Sequence, residues 1–400
     1  MAYAPIKLGR VSVKQQSAWG TAVTSFADVD AMDVQGTFIP AAEDEPLGQP
    51  VQRPQFGAPP KRAGSRAGGT VSMTWVMTNH TPGTPSIEHQ LIADAMGTLQ
   101  ALAAIGTIDA ASTTDELRPP VANADWIGQG HLVSLTGGGA QIAWVTSVDG
   151  DGSPDSAPIT LLAATPNAAV SVGATITIAF DEANLANLPF TIQSASAGAN
   201  ASFRFFDARV SSLTITANSK AQLLCAATLT VLNWAPLDAV VAAKFAFPRQ
   251  QLGPNLNALS MDLSTDETFC YASTVIAVTN TLTQADCNGS AQGVIQLVTS
   301  DRMITITERM LSSDVFADAW TPPGTTGVKV WGMTSKVSPA GSHASLYGPM
   351  IQLQKTAPPV DLGGIWGVER VWEVRNTLNP YDATDGASTV KGTNIRISFG

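Results

Sequence analysis

The stretch 202–234 constrains this chain more than any other, because it reads as a long two-stranded antiparallel ribbon turning at Asn218, Ser219 and Lys220. Its second arm sets Leu223, Cys225, Ala227, Leu229 and Val231 on one face, with Gln222, Thr228 and Thr230 on the other. A period of two marks a strand, since successive side chains point to opposite sides of the backbone. The first arm sets Leu213 and Ile215 against Thr214 and Thr216, but Val210 falls out of phase across Ser211 and Ser212. Such a slip predicts a bulge, which bends and twists a ribbon locally. The opposite face is small and hydroxylated, so it packs against another protein surface or meets solvent without presenting a greasy patch. The ribbon is suited to assembly and carries no residue pattern for chemistry.

Composition points the same way. Charged residues make up 14% of the chain, against roughly 25% in typical soluble proteins. Either much of the surface is covered in an oligomer, or this is an ordinary Ala/Thr-rich globular protein. With 22 basic and 32 acidic residues the net charge is −10, which disfavours stable nucleic-acid binding because that rests on Lys and Arg neutralising phosphates. The first ten residues lack an apolar run behind a basic start, and no apolar stretch reaches the ~18 residues of a membrane span, so neither a secretory leader nor a span is expected. Cys225, Cys270 and Cys287 are odd in number and irregular in spacing, as expected of reduced thiols in a protein assembled in the cytosol. Cys225 lies in the apolar register of its strand and reads as a small core residue.

In chain order, residues 1–103 begin with a short strand near 6–13 and a turn over 15–21. An arm over about 38–68 follows, where Glu43, Asp44 and Glu45 lead through Pro46, Pro50, Pro54, Pro59 and Pro60 to Lys61, Arg62 and Arg66. So much Pro and opposite charge does not build its own core; the segment is an exposed linker or, with Phe38 and Phe56 as anchors, an extended arm ordered on a neighbouring subunit. Val71, Met73 and Trp75 then alternate in a strand, and Ser86 offers an N-cap for a helix over 86–97 with Ile87, Leu91, Ile92, Ala95 and Met96 on one face and Gly97 as its stop. Residues 104–182 read as a small inserted β domain, with short strands at 131–135, 141–148, 159–162 and 174–180. The remainder, 183–400, holds the ribbon, strands at 256–263 and 274–280, a second ribbon with arms at Val294 to Val298 and Ile304 to Ile306 turning near Ser300 and Asp301, one or two helical turns at 312–320, and strands at 328–333, 345–353, 367–374 and 394–399.

No catalytic, cofactor-binding or metal-ligating residue is predicted. Asp149, Asp151 and Asp155 alternate like calcium ligands, but Pro154 and Thr160 stand where such a loop needs Gly and Glu, so a hairpin turn is the better reading. Gly137, Gly138 and Gly139 lack the Lys-Ser or Lys-Thr that completes a phosphate loop. His80, His89, His131 and His343 are scattered, and the first two read as solvated or capping residues. Trp75, Trp144, Trp331 and Trp372 occupy strand registers and read as core or interface.

Four stretches resemble the major tail proteins of long-tailed phages, the subunits of the tail tube. Val11 to Thr21, with Gln15, Gln16, Trp19 and Gly20, is similar to the opening of one such family; the basic, Gly-rich run 60–69 resembles the segment that follows there. The unit 205–234 is similar to the family's ribbon, and 387–399 to its closing strand, while 104–182 departs from the core pattern and resembles exterior decorating domains. The resemblance implies a mainly β fold, a β-sandwich or barrel with a short flanking helix. Subunits would form homo-hexameric rings stacked into a tube, in contact with tape-measure, terminator and distal tail proteins. DNA would slide through without stable binding, repelled by an acidic wall. Localisation would be the virion, after assembly in host cytoplasm. The alternatives are a head decoration protein or a tail-tip adhesin whose inserted domain binds host glycan.

Overall fold

The computed structural model describes residues 9–35, 41–42, 69–78, 80–102, 105–107, 116–117, 132–136, 141–145, 157–161, 171–172, 174–180, 188–196, 202–218, 221–237, 261–262, 271–286, 294–311, 324, 326–334, 343–355, 359–374 and 395–400. The fold is mainly β, in antiparallel sheets, with one α-helix among the described residues. The strands used below are β1 (Gly9–Gln15), β2 (Gly69–Val76), β3 (Gly97–Leu102), β4 (Thr175–Phe180), β5 (Phe190–Ser196), β6 (Ser202–Asn218), β7 (Leu224–Leu237), β8 (Tyr271–Asp286), β9 (Val294–Leu311), β10 (Thr326–Thr334), β11 (His343–Lys355), β12 (Trp366–Val374) and β13 (Arg396–Phe399). With four shorter strands they form one network of 17.

The ribbon read from sequence is β6 paired with β7. Val210 faces Leu229 and Ser212 faces Thr228, which leaves Ser211 as the bulged residue at the expected phase slip. Leu213, Ile215, Leu223, Cys225, Ala227, Leu229 and Val231 are all buried. β6 keeps β7 on one side throughout but changes partner on the other, from β5 over 202–208 to β8 over 212–218. β11 does the same: β10 lies along one side, while β13 over 344–347 gives way to β12 over 351–355. There too the register slips, between Gly327 and Lys329 of β10. Strands that turn a corner between sheets do so through bulges. Sharing β6 and β11 in this way joins three runs, β2-β7-β6-β8-β9-β12-β11-β10, β1-β5-β6 and β3-β4-β13-β11, over one apolar core.

Helix α1 (Ile87–Met96) ends at Gly97, whose φ of 136° is closed to most side chains, and β3 begins at that residue. The expected apolar stripe is buried, and so are Glu88, His89, Ala93 and Asp94, because the helix packs against β3, β4, β6 and β8 together. Glu88 and His89 find partners in the sequence just before the helix. Glu88 accepts from the Thr78 N–H at 3.3 Å and its hydroxyl at 3.1 Å. His89 Nδ1 accepts from the Ser86 N–H at 3.1 Å and lies 2.7 Å from its hydroxyl, so His89 caps the helix as expected but is not solvated.

Two expectations require correction. The proposed turn at Ser300 and Asp301 is a bulge inside the continuous strand β9, whose partner in the second ribbon is β8. Buried positions are Leu297 and Thr299 before this point and Ile304, Ile306, Glu308 and Met310 after it, so the inward parity flips. The register steps from Thr281 opposite Asp301 to Leu282 opposite Thr299, with Ser300 left over. In sequence a flip of parity reads like a break in the strand. The strand at 174–180, assigned above to the inserted domain, is β4, paired with β3 on one side and β13 on the other. It is buried at every position, so no alternation marked the surface it joins.

The strands Ile105–Thr107, Glu116–Leu117, Leu132–Thr136, Gln141–Val145, Ala157–Leu161 and Ser171–Val172 form a separate six-stranded sheet. β3 and β5 were not singled out in the sequence, and of the strand read at 256–263 only Met261–Asp262 appears among the described residues, paired with β10. Most of the arm over 38–68, the loop from Asp149 to Asp155, the turn Gly137 to Gly139, the helical turns at 312–320, His131, Cys270 and Cys287 lie outside the described residues.

Burial, and secondarily the charge of His80, hold the His89 pKa well below 6.5. The neutral ring that accepts from Ser86 therefore contributes stability above the unfolded-state pKa, and this is lost as pH falls through the lower folded pKa. Between about pH 7 and about pH 5, thermal melts should show the wild type losing more Tm than His89→Gln, which keeps an acceptor but cannot be protonated.

Candidate assembly surface

The faces of β2, β7, β6, β8 and β9 turned away from the core carry small and hydroxylated residues in direct register. One row across the strands reads Thr74, Ala226, Thr214, Ala277 and Thr305, and reaches Glu373 on β12. The next reads Ser72, Thr228, Ser212, Thr279 and Met303. All are exposed or half-buried, and the hydroxyls of Ser72 and Thr228 lie 3.2 Å apart. Charge enters at the β9–β12 margin, with Glu373 and the Arg309–Glu369 pair at 2.8 Å, and at Asp301, exposed on β9 opposite Thr281. Hydroxyls both donate and accept, so this face forms hydrogen bonds in many registers without presenting a fixed charge.

Beside this face the second ribbon outruns its neighbours. β8 is paired with β6 only as far as Thr279, and β12 meets β9 only from Thr305 onward. Among the described residues no third strand pairs with the stretch beyond, which leaves both its outer edges without a neighbouring strand. An isolated two-stranded ribbon is marginal in water, so its base needs an anchor.

That anchor is a buried polar clasp at the C-terminus of α1. Between the departure of β5 and the arrival of β8, Val210 has no strand partner on that side of β6. Asp94 accepts its N–H at 2.8 Å, and the Asn280 amide donates to its carbonyl at 2.9 Å. Arg209 pairs with Asp94 at 2.7 Å, both side chains 1% exposed, and reaches Leu297 O and Thr299 Oγ1 on β9 at 3.4 Å. The last carbonyls of a helix have no intrahelical donor. Here Asn280 donates to Ala95 O at 3.2 Å and Arg302 to Met96 O at 2.7 Å, so the ribbon supplies the cap and a cation meets the negative helix end. Burial raises the Asp94 carboxyl from its ordinary range, against the pull of Arg209.

A second knot ties together two of the stretches that carried the phage resemblance. Asp207 holds a φ of 55°, which Asp tolerates better than most residues because its short side chain bonds locally. Its N–H donates to Gln16 Oε1 at 2.7 Å, and its carboxylate accepts from Gln16 Nε2 at 3.0 Å, the Gly20 N–H at 2.7 Å and Asn233 Nδ2 at 2.5 Å. Gln16 and Gly20 of the opening motif thus fasten to the ribbon's first arm. Sequence spacing could not join them, since the partners lie 191 and 187 residues apart.

The remaining residues weighed in the sequence occupy structural positions where they are described. His80 and His89, nine apart in sequence, lie with ring centroids 4.8 Å apart and both pack edge-on to Phe399. His343 opens β11. Trp75 and Trp372 are core, the latter donating to the buried Glu308 at 2.8 Å where Glu308 pairs with Arg370 at 3.3 Å; Trp144 and Trp331 lie in strands. No group of three or more His, Cys, Asp or Glu suited to a metal occurs among the described residues, and none of their helices is long and apolar enough to cross a membrane. Sequence comparison finds no matching protein family and no matching curated protein.

Removing one partner of a buried ion pair strands the other charge. Arg209→Ala should therefore cost about 3–5 kcal/mol in urea unfolding. The double substitution Asp94→Asn with Arg209→Met should recover much of that loss, because Asn keeps an acceptor for the Val210 N–H and leaves no stranded charge, a non-additivity that a mere change of bulk would not produce.

Proposed function

We propose that this chain is the tail tube subunit of a long-tailed phage, a structural virion protein whose stacked homo-hexameric rings form a conduit for genome delivery. The observation that carries the reading is the registered hydroxyl face, bordered by a ribbon whose outer edges no described strand covers. A monomer has no use for such edges, whereas a ring covers each with its neighbour. The finer fold that goes with this reading is a β-sandwich with α1 at its flank, β6 and β11 being its corner strands. The knot at Asp207 supports it as well, since it gives the family-like opening motif a physical partner in the family-like ribbon.

In the assembled tube the charge-poor, net acidic subunit offers passing DNA few cations, so the duplex slides instead of sticking. The separate six-stranded sheet, with strands between residues 105 and 172, is an inserted unit on the exterior, and the arm over 38–68 reaches an adjacent subunit or ring. Tape-measure, terminator and distal tail proteins are the other partners, and the location is the virion after assembly in host cytoplasm. The chemistry is that of assembly, without a catalytic step.

Negative-stain electron microscopy of the purified protein at rising concentration tests this reading. Hollow rings or tubes are expected; monomers, solid fibres or closed shells at every concentration would contradict it. Deleting 43–66 should abolish stacking, and normal tubes from that deletion would refute the role given to the arm.

A further inference from the structure

Ile365 and Trp366 stand next to each other at 57% and 69% exposed, and Trp366 is the most exposed large apolar side chain among the described residues. They sit at the tip of a hairpin in which Pro359–Asp361 pairs with the start of β12. Gly363 and Gly364 hold φ values of 76° and 88°, which most side chains resist and which the tight turn of a two-residue hairpin loop requires. The Leu362 N–H donates to Ile365 O at 2.9 Å, and the Gly364 N–H donates to Asp361 Oδ1 at 2.6 Å. Below the turn Leu362 lies over Gly367, where a Cβ would collide with that side chain and stand 2.8 Å from Met310 O. The tip is therefore ordered before anything binds it, so docking it costs little freedom. An exposed Trp on a rigid support has the character of an interface anchor, because it offers a large apolar area with only two side-chain torsions to fix.

The occupant that fits is another copy of this chain, for two reasons. Gly367 pairs with Leu311, so the hairpin projects from one end of β9, the longest strand among the described residues. At the other end of β9, Ile295 is 48% exposed, and Val294 and Val298 near it are half-buried. Ile295 and Leu311 lie sixteen residues apart in one strand, about 50 Å at ~3.3 Å per residue, so the two apolar ends of a single copy do not meet. A tip at one end and an apolar ledge at the other fit between copies placed end to end, a heterologous contact that repeats into an open stack. The second reason is charge. The one charged residue in 359–366 is Asp361, so the tip gives no cation to a nucleic acid or to an anionic membrane surface.

We propose that the hairpin over 361–366 is the end-to-end docking element of this protein, with Ile365 and Trp366 of one copy seated against the Ile295 end of the ribbon in the next. The inference rests on the tube reading for its setting, where it names the surfaces through which one ring meets another. Contacts within a ring belong to the ribbon edges and the hydroxyl face.

Negative-stain electron microscopy and sedimentation velocity of full-length Trp366→Ser, Trp366→Phe and Ile295→Glu test the contact against the wild type. Trp366→Ser and Ile295→Glu should each raise the concentration needed for end-to-end association about 10-fold or more, as loss of an anchor does, and leave single rings. Trp366→Phe should raise it less. Tm should move by less than about 2 °C in all three, since exposed side chains add little to folding stability. Each variant keeps one sound end, so an equal mixture of Trp366→Ser rings and Ile295→Glu rings should give pairs of rings that grow no further. Stacks from Trp366→Ser at the wild-type concentration, a loss in Trp366→Ser that Ile295→Glu does not share, or mixtures that never pair would each overturn the proposal. Failure of the tube reading looks different: wild-type protein that forms no rings contradicts the tube, while end-to-end chains sensitive to both substitutions would still uphold this contact.

Discussion

The two backbone groups of Val210 are where the architecture is decided. A strand that exchanges one neighbour for another leaves a gap in its ladder, and a buried unpaired N–H or C=O costs about as much as the hydrogen bond it lacks. Asp94 and Asn280 close that gap from the helix and from the second ribbon. Because Asp94 also holds Arg209, and Arg209 reaches β9, the bulged strand, the helix end and the ribbon base share one network. Such networks are stabilising only when complete, which ties the placement of the ribbon to the folding of the core.

What could be read in the sequence was whatever repeats locally. The alternation of 223–231, the slip at Ser211, the strand around Trp75 and the helix between Ser86 and Gly97 each carry their signal within a few residues, and the structure has them at those places. The signal failed where both faces of an element are covered or where parity flips without a turn, as in β4 and β9. β8 runs on through Thr279, Asn280, Thr281, Thr283 and Gln284, a polar run that no apolar period announces, because its partner is β9 and not the core. The clasp was invisible for another reason. Asp94 reads as a surface residue on a helix, and only the meeting of three distant segments makes it the ligand of a strand.

The surface has a matching logic. A sheet whose outer rows are mostly Thr, Ser and Ala, with Met303 and Glu373 at one margin, neither demands burial nor resists it, so covering it costs little desolvation and leaving it wet exposes little grease. The ribbon edges beside it are different, since edges without a neighbouring strand template unwanted pairing unless something covers them. On the proposed reading the neighbouring subunit is that cover, and the low fraction of charged residues follows from how much of the exterior it shields.

Hydrogen–deuterium exchange followed across a concentration series reads those edges directly. The account predicts that the outward-pointing amides of 281–286 and 294–299, those not bonded across the β8–β9 pair, exchange quickly in the dilute protein and become protected on assembly, while those of β6 and β7 are slow throughout. Assemblies in which the ribbon amides go on exchanging at the monomer rate would contradict it.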